Sequence, residues 1–203
     1  KSAVYFNGGA QEFPTTGDFV LIQFNELGDS VITETLPRKS LFARKNPTLG
    51  EGDQVVAANF DSVFIMQSLN HDLNPKRLER YLALSWQSGA MPVVVLTKSD
   101  LVDSYAEQMN EILRVAAGVD VFAVSAKTGY GFDALRDYLK PGKTIVLLGS
   151  SGVGKSSFVN ALAGETLMAV NEIREDDSKG RHTTTHRQLI RMNSGVMIID
   201  TPG

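Results

Sequence analysis

The sequence predicts two regions: a small all-β segment over residues 1–51, followed by an α/β fold with a parallel sheet over residues 52–203. Before residue 51, short apolar runs are separated by Gly, Pro, Asn and Asp at a spacing of about ten residues, as in a small barrel or meander. After residue 52, branched apolar runs alternate with segments of helical periodicity. Because helices that connect successive strands favour parallel pairing, this second pattern predicts an α/β sheet.

The individual elements follow from these patterns. The predicted strands of the first region are 4–6, 18–24, 30–36 and 40–44. The second region opens with the apolar segment 54–66, and its further predicted strands are 92–96, 119–126, 143–149, 187–192 and 196–200. Helices are predicted over 74–89, 104–118, 131–140 and 155–164. Asn74 and Pro75 are typical of a helix start, Gly89 of a helix end, and Ser104 with Glu107 matches a capping box.

Composition excludes several classes of protein. The 203 residues are 42% hydrophobic and 21% charged, which is ordinary for a folded domain. The net charge of −3 argues against a nucleic-acid binder that acts through bulk charge. The absence of Cys excludes disulfides and Cys-ligated zinc within these residues. Apolar runs far below the roughly 20 residues of a membrane span, and an N-terminus without a signal-peptide core, predict a soluble, cytoplasmic protein with no membrane partner.

The run GSSGVGKSS at 149–157 matches the phosphate-loop pattern G-x-x-x-x-G-K-S, between a predicted strand and a predicted helix. Its backbone N–H groups and the helix N-terminus favour bound phosphate. Lys155 is predicted to reach the β- and γ-phosphates, and Ser156 to hold Mg²⁺. The alternative is a Gly-rich turn without a ligand. The candidate phosphate-binding residues are Gly149, Ser150, Ser151, Gly152, Val153, Gly154, Lys155, Ser156 and Ser157.

Two further loops favour guanine as the base. TKSD at 97–100 and SAK at 125–127 each follow a predicted strand, where open α/β sheets bind ligands. The Asp100 carboxylate can accept hydrogen bonds from guanine N1–H and N2–H, a donor pair that adenine lacks. The Lys98 stem can cover the base, and the Ala126 N–H can donate to its carbonyl. The candidate base-binding residues are Thr97, Lys98, Asp100, Ser125, Ala126 and Lys127.

The remaining candidates for nucleotide chemistry lie near the end of the chain. Asp200, at the end of a predicted strand, can hold Mg²⁺ through water, and the Gly203 N–H can meet the γ-phosphate. Residues 174–189 are polar and read as a loop. Within it, Thr184 is the candidate Mg²⁺ ligand and phosphate sensor, with Thr183 and Thr185 as alternatives. His182 is the candidate for orienting water.

Together these motifs resemble those of small GTPases, but their order is circularly permuted. The chain runs TKSD, SAK, GSSGVGKS, HTTTH and DTPG, whereas ordinary GTPases begin with the phosphate loop. The run GRHTTTH, the stretch that starts VVAANFDSVFIMQSLNHDLNP, and PVVVLTKSDL resemble the RsgA (YjeQ/YloQ) family of GTPases that depend on the small ribosomal subunit. One departure is Thr97, where many GTPases carry Asn, and it predicts weaker tethering of the loop.

The resemblance implies an OB-fold-like domain before a circularly permuted P-loop GTPase domain. It further implies a cytoplasmic monomer that hydrolyses GTP with Mg²⁺, is stimulated by the small ribosomal subunit, and binds rRNA during late maturation of that subunit. A zinc-binding domain is implied only beyond Gly203. The alternatives are an RNA-binding guanine-nucleotide switch with negligible turnover and a P-loop ATPase, and Asp100 argues against the ATPase.

A basic cluster in the first region is the candidate RNA surface. Positive residues crowd into 38–45, and Phe42 lies among them, where it can stack on a base or belong to the core. The alternative is a solvated strand edge. Trp86, on a predicted helix, is expected to pack. The basic residues are Arg38, Lys39, Arg44 and Lys45.

Overall fold

The computed structural model describes residues 13–44, 54–70, 72–168 and 188–201. A six-stranded sheet forms its centre, with the strand order β7-β6-β5-β8-β10-β9. All neighbouring pairs are parallel except β10–β9. The elements are β1 (Val20–Gln23), β2 (Val31–Thr35), β3 (Leu41–Arg44), β4 (Gln54–Ala58), β5 (Ser62–Ser68), α1 (Pro75–Gln87), β6 (Met91–Thr97), α2 (Ala106–Val115), β7 (Val121–Ala123), β8 (Thr144–Leu148), α3 (Lys155–Ala163), β9 (Gln188–Arg191) and β10 (Met197–Asp200).

The first region contains β-structure, as predicted. Strand β1 pairs with β2, and β3 pairs with β4, both antiparallel. These are two separate two-stranded sheets, and β4 lies beyond the predicted boundary at residue 51. An OB-type barrel is therefore not confirmed by the described residues. The predicted strand 4–6 lies outside them.

Two members of the predicted RNA surface are instead part of the packing. Phe42 is buried, and its ring stacks on Phe60 with ring centroids 5.0 Å apart, so of its two interpretations the core is correct. The Arg38 guanidinium lies 2.7 Å from the buried Asp18 carboxylate, which also raises the arginine's pKa. Lys39 is more exposed and pairs with Asp61. Lys45 lies outside the described residues.

The central sheet buries both of its faces, because side chains alternate along each strand. On β5, Phe64 and Met66 belong to one apolar cluster, and Val63 and Ile65 belong to the other. The first cluster contains residues of α3, and the second contains residues of α1 and α2. The molecule therefore has three layers, with α3 on one side of the sheet and α1 and α2 on the other.

The predicted start of α1 is confirmed. The Asn74 side chain accepts a hydrogen bond from the Arg77 N–H at 3.0 Å, and Pro75 is the first helical residue. Trp86, which was expected to pack, is 58% exposed. The expectation was wrong because the buried stripe of α1 runs through Leu78, Leu82 and Ser85 and leaves Trp86 outside it.

Three other expectations need correction. The segment 54–66 splits into β4 and β5 at Asn59, whose φ of 57° turns the chain. Helix α2 begins after Tyr105 without a side-chain cap, so the capping box at Ser104 does not form. Residues 131–140 contain only a 3₁₀ turn, Phe132–Leu135. The Arg136 and Tyr138 N–H groups donate to carbonyls three residues back, which is the 3₁₀ pattern, whereas the spacing of the packed apolar residues also fits an α-helix.

Among the helices of the described ranges, none has the length and apolar character needed to cross a bilayer.

Candidate functional site

The candidate site lies where two adjacent strands send their chains to opposite faces of the sheet. Strands β5 and β8 are parallel neighbours, but α1 follows β5 on one face and α3 follows β8 on the other. The two connecting loops therefore diverge and leave a crevice at the carboxyl edge of the sheet. This switch in direction is where open α/β sheets bind nucleotides.

The predicted phosphate loop lies at this crevice and depends on glycine at two points. A Cβ on Gly149 would lie 2.7 Å from the Met66 carbonyl oxygen. The loop backbone can therefore pass this close to β5 only with glycine at position 149. Gly154 has φ +104° and forms the N-cap of α3. Ser156 and Ser157 occupy the first turn of that helix, where unpaired backbone N–H groups favour an anion. Ser151 is exposed and Gly152 half-buried.

The Lys155 side chain lies inside the phosphate loop. Its Nζ donates to the carbonyl oxygens of Gly149 at 2.8 Å and Ser150 at 3.1 Å. Burial lowers the pKa of Lys155, while the carboxylates of Asp200 and Asp72 oppose this shift. The ammonium is thus held by neutral carbonyls, which a phosphate group can replace.

Asp200 lies at the end of β10, as predicted, and is buried. Burial raises its pKa, and the nearby Lys155 ammonium opposes that shift. Among the described residues, its Oδ1 atom is buried without a hydrogen-bond partner. An unpartnered buried carboxylate oxygen fits a site for Mg²⁺ or its water, with the Ser156 hydroxyl as the further candidate ligand. No group of three or more His, Asp or Glu side chains placed to hold a metal occurs in the described ranges.

The two predicted base-binding loops, 97–100 and 125–127, are called the base loops. Hydrogen bonds join them to the phosphate loop and to each other. The buried Thr97 hydroxyl donates to the Val153 carbonyl at 2.6 Å and lies 3.3 Å from the Gln67 carbonyl. Lys98 has φ +60°, a left-handed conformation that is uncommon without glycine and turns the chain sharply after β6. The fully buried Ser125 donates from Oγ to the Asp100 Oδ1 atom at 2.6 Å and so orients the exposed carboxylate.

The other predicted site residues are divided between the described and undescribed parts of the chain. Ala126 is half-buried, and Lys127 is exposed in a turn closed by the hydrogen bond from the Gly129 N–H to the Ser125 carbonyl. His182, Thr184 and its alternatives, and Gly203 lie outside the described residues. Their roles stay predictions.

Sequence reasoning missed three residues that shape the site. The Thr201 hydroxyl donates to the Leu147 carbonyl at 2.9 Å and ties the end of β10 to β8. Asp72 accepts a hydrogen bond from the Ser150 hydroxyl, and Gln67 is fully buried beside the loop that carries Asp72. Thr201 lies within DTPG, and Gln67 and Asp72 lie within the stretch that resembles the RsgA family, but neither sequence pattern indicates which atoms these side chains contact.

Thr97→Val tests the connection between the base loop and the phosphate loop. The change removes only a hydroxyl at nearly constant volume and leaves the buried Val153 carbonyl without this donor. We expect the free energy of unfolding to fall by about 1–3 kcal/mol, measured by urea denaturation. Thr33→Val is the matched control, because its hydroxyl is exposed and makes a longer, 3.3 Å bond. A Thr97→Val change as small as that control would contradict the tether.

These features together define a circularly permuted P-loop domain of the GTPase class. They are the sheet order, the phosphate loop at the point where the connections diverge, and the two base loops. The model of the RsgA GTPase family matches residues 35–203. Since this match covers most of the chain, the chain belongs to the RsgA GTPase family.

Individual relatives agree with this assignment. The chain is 49% identical over 203 residues to "Small ribosomal subunit biogenesis GTPase RsgA 1" of Listeria monocytogenes, covering all of this chain and 57% of that protein. It is 47% identical over 191 residues to "Small ribosomal subunit biogenesis GTPase RsgA" of Methanosarcina acetivorans, covering 94% of this chain and 52% of that protein. The chain thus spans a little over half the length of these curated relatives.

Two solved structures share the fold. The crystal structure of YjeQ from Thermotoga maritima superposes with a TM-score of 0.68 at 30% identity, over 94% of this chain and 61% of that one. The crystal structure of YloQ, described as a circularly permuted GTPase, superposes with a TM-score of 0.61 at 24% identity, over 99% of this chain and 60% of that one. The second likeness supports the fold alone.

Proposed function

We propose that the protein hydrolyses GTP to GDP and phosphate, is stimulated by the small ribosomal subunit, and acts in late maturation of that subunit. The observation that carries the proposal is the convergence of the phosphate loop and both base loops at one edge of the sheet, joined by the Thr97–Val153 and Ser125–Asp100 hydrogen bonds. Membership of the RsgA GTPase family supports the same activity. The names of the relatives support the ribosomal partner.

In this proposal, Asp100 selects guanine. Its carboxylate accepts from the N1–H and N2–H of the base, while Ser125 keeps it oriented. The Lys98 stem covers the base, and the Ala126 N–H meets the base carbonyl, with Lys127 supporting the turn. Adenine lacks that donor pair and would leave the Asp100 carboxylate unpaired. We therefore expect ATP to be a poor substrate.

The phosphates bind along 149–157, at the N-terminus of α3. Lys155 leaves the carbonyls of its own loop and pairs with the β- and γ-phosphates. Ser156, Asp200 and Thr184 would hold Mg²⁺, which would neutralise phosphate charge when bound. His182 orients the attacking water, and the Gly203 N–H meets the γ-phosphate.

We propose further that the β-rich first region belongs to an OB-fold-like domain that contacts rRNA, in a monomeric cytoplasmic protein. Its two antiparallel hairpin-like sheets support this reading. Because Arg38 and Phe42 are committed to internal packing, the RNA contact would use other residues of the region, with the exposed Lys39 among the candidates.

The test is GTP turnover by the full-length protein with Mg²⁺, with and without purified small ribosomal subunits, and with ATP as control. We expect the subunit to raise GTP turnover by about tenfold or more, since one added transition-state contact is worth about 10²-fold. ATP turnover is expected to stay unchanged. An absence of stimulation would favour the alternative, an RNA-binding guanine-nucleotide switch with negligible turnover.

A further inference from the structure

We infer that Asp72 is a positioning residue for the phosphate loop: its carboxylate holds the Ser150 hydroxyl and thereby raises the affinity for nucleotide. This inference rests on the proposed function, because the same loop must bind the phosphates of GTP. Asp72 has no place in the phosphate-loop, base-loop or DTPG motifs, so it adds a contact from outside them.

The contact follows from the topology of the sheet. Asp72 lies between β5 and α1, and Ser150 lies between β8 and α3. Because β5 and β8 are adjacent and their helices leave on opposite faces, these two loops face each other across the crevice. There the Ser150 hydroxyl donates to the Asp72 Oδ2 atom.

Asp72 is itself held in place by its surroundings. The fully buried Gln67 side chain accepts from the Asn74 N–H at 2.9 Å and donates to the Asn74 carbonyl at 3.1 Å. Asn74 in turn caps α1. The Arg77 guanidinium lies 2.8 Å from the Asp72 Oδ1 atom and also donates to the Asp72 carbonyl. The carboxylate therefore belongs to a fixed loop.

The phosphate loop is consequently tethered from two directions. Thr97 binds its Val153 carbonyl, and Asp72 binds its Ser150 side chain. A loop held near its binding conformation loses less conformational entropy when the ligand arrives. The ion pair with Arg77 balances the negative charge of Asp72, so the carboxylate can stand near the phosphate site without a bare negative charge facing the ligand.

The experiment compares Ser150→Ala, Asp72→Ala, the double variant and Asp72→Asn in the full-length protein. We would measure the Kd for GDP and for GTP with Mg²⁺ by titration calorimetry, together with kcat, KM and the thermal unfolding midpoint. Asp72→Ala is expected to weaken the binding of both nucleotides about tenfold with kcat within about twofold, and Ser150→Ala to weaken both by about the same factor. The Kd of the double variant is expected to be no higher than that of the weaker-binding single variant. Asp72→Asn keeps an acceptor oxygen and is expected to recover part of the affinity.

The matched control is Glu79→Gln, an exposed acid of α1 with no ion pair among the described residues. It is expected to leave the Kd unchanged. Independent, additive losses for Ser150→Ala and Asp72→Ala, or a wild-type Kd in Ser150→Ala, would overturn the inference. If Asp72→Ala fails to fold, Asp72→Asn measured alone and combined with Ser150→Ala replaces it, and additive losses in that pair would overturn the inference. Wild-type protein that binds neither GDP nor GTP would instead refute the proposed function.

Discussion

Replacing Asp100 with Asn is expected to lower GTP affinity by about 100-fold or more and to improve binding of xanthosine triphosphate. The carboxylate accepts two hydrogen bonds from guanine in the proposed pose, and hydrogen bonds to a charged group contribute about 1.5–3 kcal/mol each. An amide keeps one acceptor and presents an N–H group to the guanine donors. Xanthine carries a carbonyl at C2 in place of the amino group, so the amide N–H finds a partner there.

The measurement is the Kd of the full-length variant for GTP, xanthosine triphosphate and ATP with Mg²⁺. Asp103→Asn is the matched control, since Asp103 is an exposed acid three residues further along the chain. We expect that control to bind GTP as the wild type does. Equal losses for GTP and xanthosine triphosphate in Asp100→Asn would mean that Asp100 supports the loop without reading the base.

Lys155→Met is expected to lower kcat/KM for GTP by about 10³-fold. Methionine keeps most of the length of the stem but removes the ammonium that donates to the Gly149 and Ser150 carbonyls. In a partly desolvated site, one lost charge opposite the phosphates is worth far more than in water. The buried Asp200 carboxylate also loses its cationic neighbour, so the pKa of Asp200 is expected to rise further. The proposed affinity of Asp200 for Mg²⁺ is expected to fall as a result.

Steady-state GTP turnover in the presence of small ribosomal subunits checks this prediction. Lys143→Met is the control, because Lys143 precedes the amino end of β8, away from the phosphate loop, and pairs at 3.3 Å with Asp61. Its kcat/KM is expected to stay within about twofold of the wild type. A Lys155→Met variant that keeps more than a tenth of the wild-type kcat/KM would refute the proposed role of Lys155.

Local signals determined much of the fold and of the candidate site. The phosphate loop, the two base loops and Asp200 stand at the carboxyl ends of strands, as their spacing predicts. Helix α1 begins at the predicted cap because Asn74 and Pro75 act on backbone groups within one turn. Such features depend on residues close in the chain, so the sequence alone predicts them.

Several features were decided only by the tertiary structure. Phe42 is a core residue because Phe60 stacks on it. The 131–140 segment forms only a 3₁₀ turn, although the spacing of its packed apolar residues also fits an α-helix. Neither outcome is determined by the local sequence, which fits a base-stacking Phe42 and an α-helix as well.

The amino-acid sequence by itself predicted which loops would carry the nucleotide chemistry and that their order is permuted. Only the tertiary structure decided how those loops support one another. Thr97 and Val153 are 56 residues apart, and Asp72 and Ser150 are 78 apart. Their contacts exist because β6, β5 and β8 lie side by side, and because α1 and α3 leave the sheet on opposite faces. Strand order is set by the packing of the whole sheet, so no local pattern contains these contacts.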